Sequence, residues 1–207
     1  MKERYFTLDD QLRFAQLSGD FNPIHIDPVY ARRLIYGKAV VHGIQSLLWT
    51  IEEWLKIIEA RHIHFDKLTV SFNRPVGIDE RVKMHVGLSD ENSTELYLQN
   101  RGMVAMKAKI EWHSCDKHDD FDAIPDYSPP HIRSHDLPKD SLLGKEERFD
   151  LMVERGKFLA LFPTCHAKIS VQQYASLLTT TRIVGVHCPG LNSVFQELSL
   201  VFFTSTT

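Results

Sequence analysis

The sequence predicts an α+β fold in which one long helix lies against an antiparallel sheet. Two observations carry this. Ile44, Leu47, Leu48, Ile51, Leu55 and Ile58 recur at three- and four-residue steps and form one wide apolar face. From residue 62 the period changes to two: Leu68, Val70 and Phe72; Val82, Met84, Val86 and Leu88; Leu96 and Leu98; then Val104, Met106, Ala108, Ile110 and Trp112. A helix followed at once by short alternating segments packs as a sheet wrapped around that helix.

The local signals place the remaining elements. Thr7-Leu8-Asp9-Asp10 reads as a capping box ahead of a short helix over 9–17, and Gly19 suits the left-handed residue that ends it. Asp27-Pro28 is an N-cap followed by Pro at the first helical position, opening a second short helix through Leu34, with Gly37 beyond it. Trp49 and Trp54 widen the apolar face of the long helix, which is expected to be largely buried. Turns fall at Asn73-Arg74-Pro75, at Ser89-Asp90-Glu91-Asn92 and at Asn100-Arg101-Gly102.

These elements fill a first domain over 1–114. Residues 115–144 are rich in Asp, His, Ser and Pro and have linker composition. The final segment, 145–207, echoes the first domain as a weak internal repeat. Ile169–Leu178 can be laid on Ile24–Arg33, Val186-His187 falls near Val41-His42, and Phe195–Phe202 matches Phe65–Phe72.

The totals exclude several classes. With 24 Lys and Arg against 27 Asp and Glu the formal net charge is −3, so no basic excess points to nucleic acid or an anionic membrane. Cys115, Cys165 and Cys188 are few and widely spaced, which disfavours a disulfide framework and fits a reducing compartment. The first residues carry no apolar signal region, and no uninterrupted run approaches the ~20 residues of a membrane span. The expectation is a cytoplasmic soluble protein.

The chemistry concentrates in Phe14-Ala15-Gln16-Leu17-Ser18-Gly19-Asp20-Phe21-Asn22-Pro23-Ile24-His25. Asp20 and His25 are five positions apart, a spacing that either regular element would carry to different faces. The Gly19 and Asn22-Pro23 breaks can instead fold the chain and bring both side chains to one volume. A carboxylate and an imidazole beside one water can add and remove a proton at carbon. The second half has Ser170 where His25 would stand, with no preceding Gly-Asp, and so lacks the pair.

With Phe14-Ala15, Ser18-Gly19-Asp20, Asn22-Pro23-Ile24-His25, Asp27, Ala31 and Val41-His42-Gly43 in order, the chain resembles the MaoC-like dehydratases, the R-specific enoyl-CoA hydratases with a hotdog fold. The resemblance covers the first domain and implies a double hotdog whose second repeat is partial. It departs from the family at Pro75-Val76-Gly77-Ile78-Asp79-Glu80, where a Pro-Val-x-x-Gly-Asp pattern is usual and the glycine has moved. It implies reversible syn hydration of trans-2-enoyl thioesters to R-3-hydroxyacyl thioesters. Asp20 and His25 would hold the water, one taking its proton and the other delivering one to C2, in an order the sequence leaves open. The backbone N–H of Gly43 would receive the enolate charge, while Ser18, Asn22 and His42 would border the substrate. No metal or redox cofactor is implied, because the CoA or acyl-carrier pantetheine belongs to the substrate.

Plainer roles stand beside these. Asp20 can cap a turn, Asn22 and Pro23 can set its shape, and Ser18 can bond locally. His42 can be a packed or orienting histidine, and Tyr30, Trp49 and Trp54 can be core. Cys115-x-x-His118 and His131-x-x-x-His135 have ligand spacing but no further cysteines nearby. Arg32, Arg33, Lys38 and Arg74 could meet CoA phosphates or remain solvated. A non-catalytic acyl-thioester binding or scaffold subunit and a thioesterase are the competing functions, since fold alone does not choose among them. A homodimer, or a pseudo-dimer made through the second repeat, is expected to cover the sheet edge.

Overall fold

The computed structural model describes residues 2–116, 124–134, 137, 140, 146, 148–191 and 193–203. Its centre is the long helix, α4, over Gly43–Leu55, whose apolar residues are almost all buried. The helix ends one turn before the apolar period does, and Ile58 packs against the core from beyond it. Trp49 lies edge-on to Phe6, and Trp54 packs between Phe65 and Trp112.

Around α4 curves a six-stranded antiparallel sheet: β1 (Lys2–Tyr5), β3 (Arg81–Ser89), β4 (Ser93–Asn100), β5 (Met103–Cys115), β2 (His62–Phe72) and β6 (Glu197–Val201), in that spatial order. The alternating residues Leu68, Val70, Val82, Leu96, Leu98, Ala108 and Ile110 are fully buried against the helix. Each large apolar side chain so buried contributes roughly 1.5–3 kcal/mol. The two-residue turn between β4 and β5 has Arg101 at φ 51° and Gly102 at φ 77°, the pair of left-handed residues that a tight hairpin requires. Asp79 also takes a left-handed conformation, φ 61°. It stands where the Pro-Val-x-x-Gly-Asp pattern has its glycine, and aspartate tolerates that region better than most residues.

Strand β1 has no counterpart in the periodicity. Its four residues are mostly exposed, and Glu3 ties it to β3 through Arg81 and Lys83.

The described part of 145–207 contains helices α5 (Arg155–Leu161), α6 (Pro163–Lys168) and α7 (Val171–Arg182), a π turn over Ile183–His187, and β6. Ile169–Leu178 and Ile24–Arg33 differ in backbone. The latter is broken into two single-turn helices, α2 (Pro23–Ile26) and α3 (Pro28–Ala31), with Asp27 capping α3. With no proline to interrupt it, the later stretch runs as one helix capped by Ser170. Phe195–Phe202 and Phe65–Phe72 meet directly. Lys67 pairs with Val201, Thr69 with Ser199 and Ser71 with Glu197, so the matched residues lie symmetrically about Thr69 and Ser199.

Glu52 and Gln173 are among the side chains that lock these later helices to residues 2–116. Glu52, on α4 and 3% exposed, accepts the backbone N–H groups of Thr164 (3.0 Å) and Cys165 (2.8 Å) at the start of α6. Gln173, on α7, bonds both the N–H and the C=O of Phe65 on β2. Ile124 and Val153 join the core. Among the described residues no helix is long and apolar enough to cross a membrane.

Candidate active site

Helix α1 (Leu8–Ser18) opens with the capping box between Thr7 and Asp10 and ends at Gly19, φ 78°. The turn beyond it is built by its own side chains. Ser18 Oγ accepts the N–H of Asp20 (3.2 Å), Asp20 Oδ1 accepts the N–H of Asn22 (3.1 Å), and Asn22 Oδ1 accepts the N–H of Ile24 to cap α2. Pro23 then starts α2, whose first turn presents His25. The fold thus turns Asp20 and His25 toward each other, both buried and both lining one cavity of about 330 Å³.

The imidazole of His25 is oriented by its neighbours. Its Nδ1 lies 2.8 Å from the carbonyl oxygen of Val40, which can only accept. Nδ1 therefore carries the proton, and in the neutral ring Nε2 keeps a lone pair. Burial lowers the pKa of His25, against the opposing pull of Asp20 and the Val40 bond. Burial raises that of Asp20, while His25, the Thr181 hydroxyl and the Asn22 N–H pull it down.

Behind His25, and 0% exposed, lies His42, its ring stacked on that of His25 with centroids 3.9 Å apart. Its Nδ1 is 3.0 Å from Gln11 Oε1 and its Nε2 is 3.1 Å from the backbone oxygen of Asp20. Both facing atoms are acceptors, and a neutral ring donates to only one of them. Burial, then the adjacent His25, holds the His42 pKa well below the ordinary histidine range.

Ligand atoms of Asp20, His25 and His42 lie within 4.8 Å of one another, a spacing that would also admit a cation. With both nitrogens of His42 facing protein oxygens, Asp20 and His25 remain, one short of the three protein ligands usual at a catalytic zinc. His118 and His135 lie outside the described residues, and with them both ligand-like pairs of the linker.

The same cavity is bordered by the N-terminus of α4. Its first intrahelical bond runs from the Ser46 N–H to the His42 carbonyl, and His42 gives no side-chain cap. The N–H groups of Gly43, Ile44 and Gln45 are thus left at the open, electropositive end. Gly43 lines the cavity, and a Cβ there would stand 3.1 Å from the Phe72 ring, which would have to shift to admit it. The lining continues over Leu98 and Met106 of the sheet and over Val184 and Phe195 of the later segment, and includes exposed Arg74. Lys38 is paired with Glu80. Ser18, Asn22 and His42 do not reach this cavity, and neither do Tyr30, Trp49 or Trp54.

Three site residues carry no local sequence signal. Gln11 holds His42 by both its backbone and its ring. Thr181 donates to Asp20 Oδ2 at 2.8 Å, and Gly185 lies against the same carboxylate.

A curved antiparallel sheet around one buried helix, with an acid and an imidazole at the helix's open end, defines a hotdog-type protein. Residues 1–107 match the MaoC like domain, and the chain belongs to that family. Over nearly its full length the fold is that of a solved MaoC-like dehydratase, with a TM-score of 0.62 at 10% identity, covering 98% of this chain and 80% of the other. Among curated proteins, a fatty acid synthase beta subunit (stcK) of Emericella nidulans is 33% identical over 75 residues, covering 35% of this chain and 4% of the relative. The peroxisomal hydratase-dehydrogenase-epimerase of Saccharomyces cerevisiae is 44% identical over 41 residues, covering 20% of this chain and 5% of the relative. The chain thus spans a small fraction of either relative.

Proposed function

We propose that the chain adds water reversibly across the double bond of trans-2-enoyl thioesters, giving R-3-hydroxyacyl thioesters. The observation that carries this reading is that Asp20, His25 and Gly43, the last at the open N-terminus of α4, line one cavity. The name of the yeast relative, which includes a hydratase, accords with it.

The geometry supports His25 as the base. Its Nε2 lone pair takes a proton from water as the water oxygen bonds C3. The C2=C3 electron pair moves into the thioester carbonyl, and the Gly43 N–H receives the resulting enolate oxygen. Asp20 steadies the imidazolium, which returns the proton to C2 on the same face. One water supplies both the hydroxyl and the hydrogen, so the balance closes without an external acid. Asn22 and Ser18 hold the turn, and His42 backs the His25 ring. The thioester carrier, CoA or acyl carrier, enters past Arg74.

The symmetric pairing of β6 with β2 supports a pseudo-dimer within the chain, β6 and α7 taking the places a second subunit's elements would fill.

The test is loss of the ultraviolet absorbance of crotonyl-CoA. Wild-type turnover, with none in folded Asp20→Asn and His25→Ala, is expected. Tight binding by calorimetry without turnover would select the scaffold reading, and release of free thiol would select a thioesterase.

A further inference from the structure

The carboxylate of Asp20 is held from two sides. One oxygen, Oδ1, accepts the N–H of Asn22, a bond made within the turn itself. The other, Oδ2, accepts the hydroxyl of Thr181 at 2.8 Å, from the last turn of α7, 161 residues away in sequence. Thr181 is 2% exposed, as is Asp20, so their bond is largely shielded from bulk water. The same segment grips the turn at further points. The side-chain amide of Asn22 donates to the carbonyl oxygens of Gly185 and Gly190, each at 3.3 Å. A Cβ on Gly185 would stand 2.2–2.4 Å from the three outer atoms of the Asp20 carboxyl group, so the backbone of the π turn lies directly on that group. Thr181 and Gly185 also line the cavity shared by Asp20 and His25.

From this arrangement we infer that Thr181 is a positioning residue for the proposed hydration, acting through Asp20, and that the site is completed by the later segment of the chain. The inference rests on the hydratase reading. A carboxylate can swing about its last side-chain torsion, whose wells are broad. With Oδ1 bonded to the Asn22 N–H and Oδ2 to a hydroxyl proton, the group has one orientation. A hydroxyl that donates also favours the ionised form, opposing the burial that favours the neutral acid. Thr181 thus sets both the direction of the charge that steadies the His25 imidazolium and the pH range in which that charge exists. The first domain holds the acid and the imidazole, and the later segment tunes them.

The experiment compares Thr181→Val, of nearly equal shape, with Thr181→Ser, which keeps the hydroxyl, using crotonyl-CoA. In the valine variant kcat is expected to fall about tenfold to a hundredfold, the cost of one hydrogen bond to a charged group, with KM little changed. The acid limb of kcat/KM moves to higher pH, and serine restores most of both. Thr181→Ala is expected to give the same shift and serves if the valine variant does not fold. Titration of the Asp20 carboxyl by carbon-13 NMR, in wild type and variants, reads the same coupling without turnover; its midpoint rises in the valine variant. An unmoved carboxyl midpoint, or lost activity that serine does not restore and that leaves the acid limb in place, would overturn the inference. Absence of crotonyl-CoA turnover in the wild type would instead overturn the hydratase reading, and the carboxyl titration would still decide the role of Thr181.

Discussion

The Nδ1 of His25, a residue that lines the cavity, lies 2.8 Å from the carbonyl oxygen of Val40, and this single contact leaves the other ring nitrogen as an acceptor. A base needs that nitrogen free of a proton. Burial lowers the His25 pKa from 6.5, so as pH falls the ring stays neutral past the point at which a solvated histidine would be charged. The sign follows: kcat/KM is level through neutral pH and falls only as the pH drops below 6.5. Because Asp20 and His25 are coupled, the limb belongs to the pair. A pH profile of crotonyl-CoA hydration checks this, and a limb well above 6.5 would contradict it.

Gly185 offers a second test. Its φ lies outside the left-handed region, and the atoms an alanine methyl meets first are those of the Asp20 carboxyl group. Gly185→Ala should push that group aside by about an ångström, and displacements of this size cost about a hundredfold in rate. The melting temperature should also fall, because moving the buried carboxylate strains its bonds from the Asn22 N–H and the Thr181 hydroxyl. A normal rate in this variant would mean that the carboxylate need not stand where it does.

Glu52 fastens α6 to α4 by accepting two backbone N–H groups, with almost no exposure of its own. Glu52→Ala leaves both donors without their partner in the interior. A loss of about 2–4 kcal/mol in unfolding free energy by urea titration is expected. A change below about 0.5 kcal/mol would show that water replaces the carboxylate.

Cys165 beneath it is fully buried, and burial, followed by the charge of Glu52, pushes its thiol pKa well above the usual range. The thiolate is the reactive form. A disulfide reagent should therefore modify Cys165 in the native protein far more slowly than the half-buried Cys115 and Cys188, and at ordinary rates once urea unfolds the chain. Peptide mapping of the labelled sites checks the order, and early labelling of Cys165 would place α6 outside the stable core.

How much of this was readable in advance depended on whether a feature is local. The capping box at Thr7–Asp10, the left-handed Gly19, the Asp27-Pro28 cap and the Arg101-Gly102 hairpin each reside in two to four adjacent residues, and each was legible. The convergence of Asp20 and His25 was legible for the same reason, since the turn that joins them is built from the residues between them. Strand β1 was not, because Lys2–Tyr5 has no apolar alternation and is held by ion pairs with a strand that arrives about 80 residues later. Thr181 and Gly185 were invisible because a hydroxyl and a glycine have no spacing rule relative to a carboxylate far back in the chain. Gly43 was legible for its backbone N–H at the start of the long helix, but the Phe72 ring that would stand 3.1 Å from its Cβ was not, because it comes from a strand further along the chain.

The most direct test of the central claim is the stereochemistry of addition. If His25, steadied by Asp20, handles one water on one face of the double bond, crotonyl-CoA hydrated in deuterium oxide will give R-3-hydroxybutyryl-CoA carrying deuterium at C2 on the same face as the new hydroxyl. Proton NMR of the product distinguishes this from the alternative. Deuterium on the face opposite the hydroxyl would contradict a single acid–imidazole pair acting from one side, and an S centre at C3 would contradict the R product.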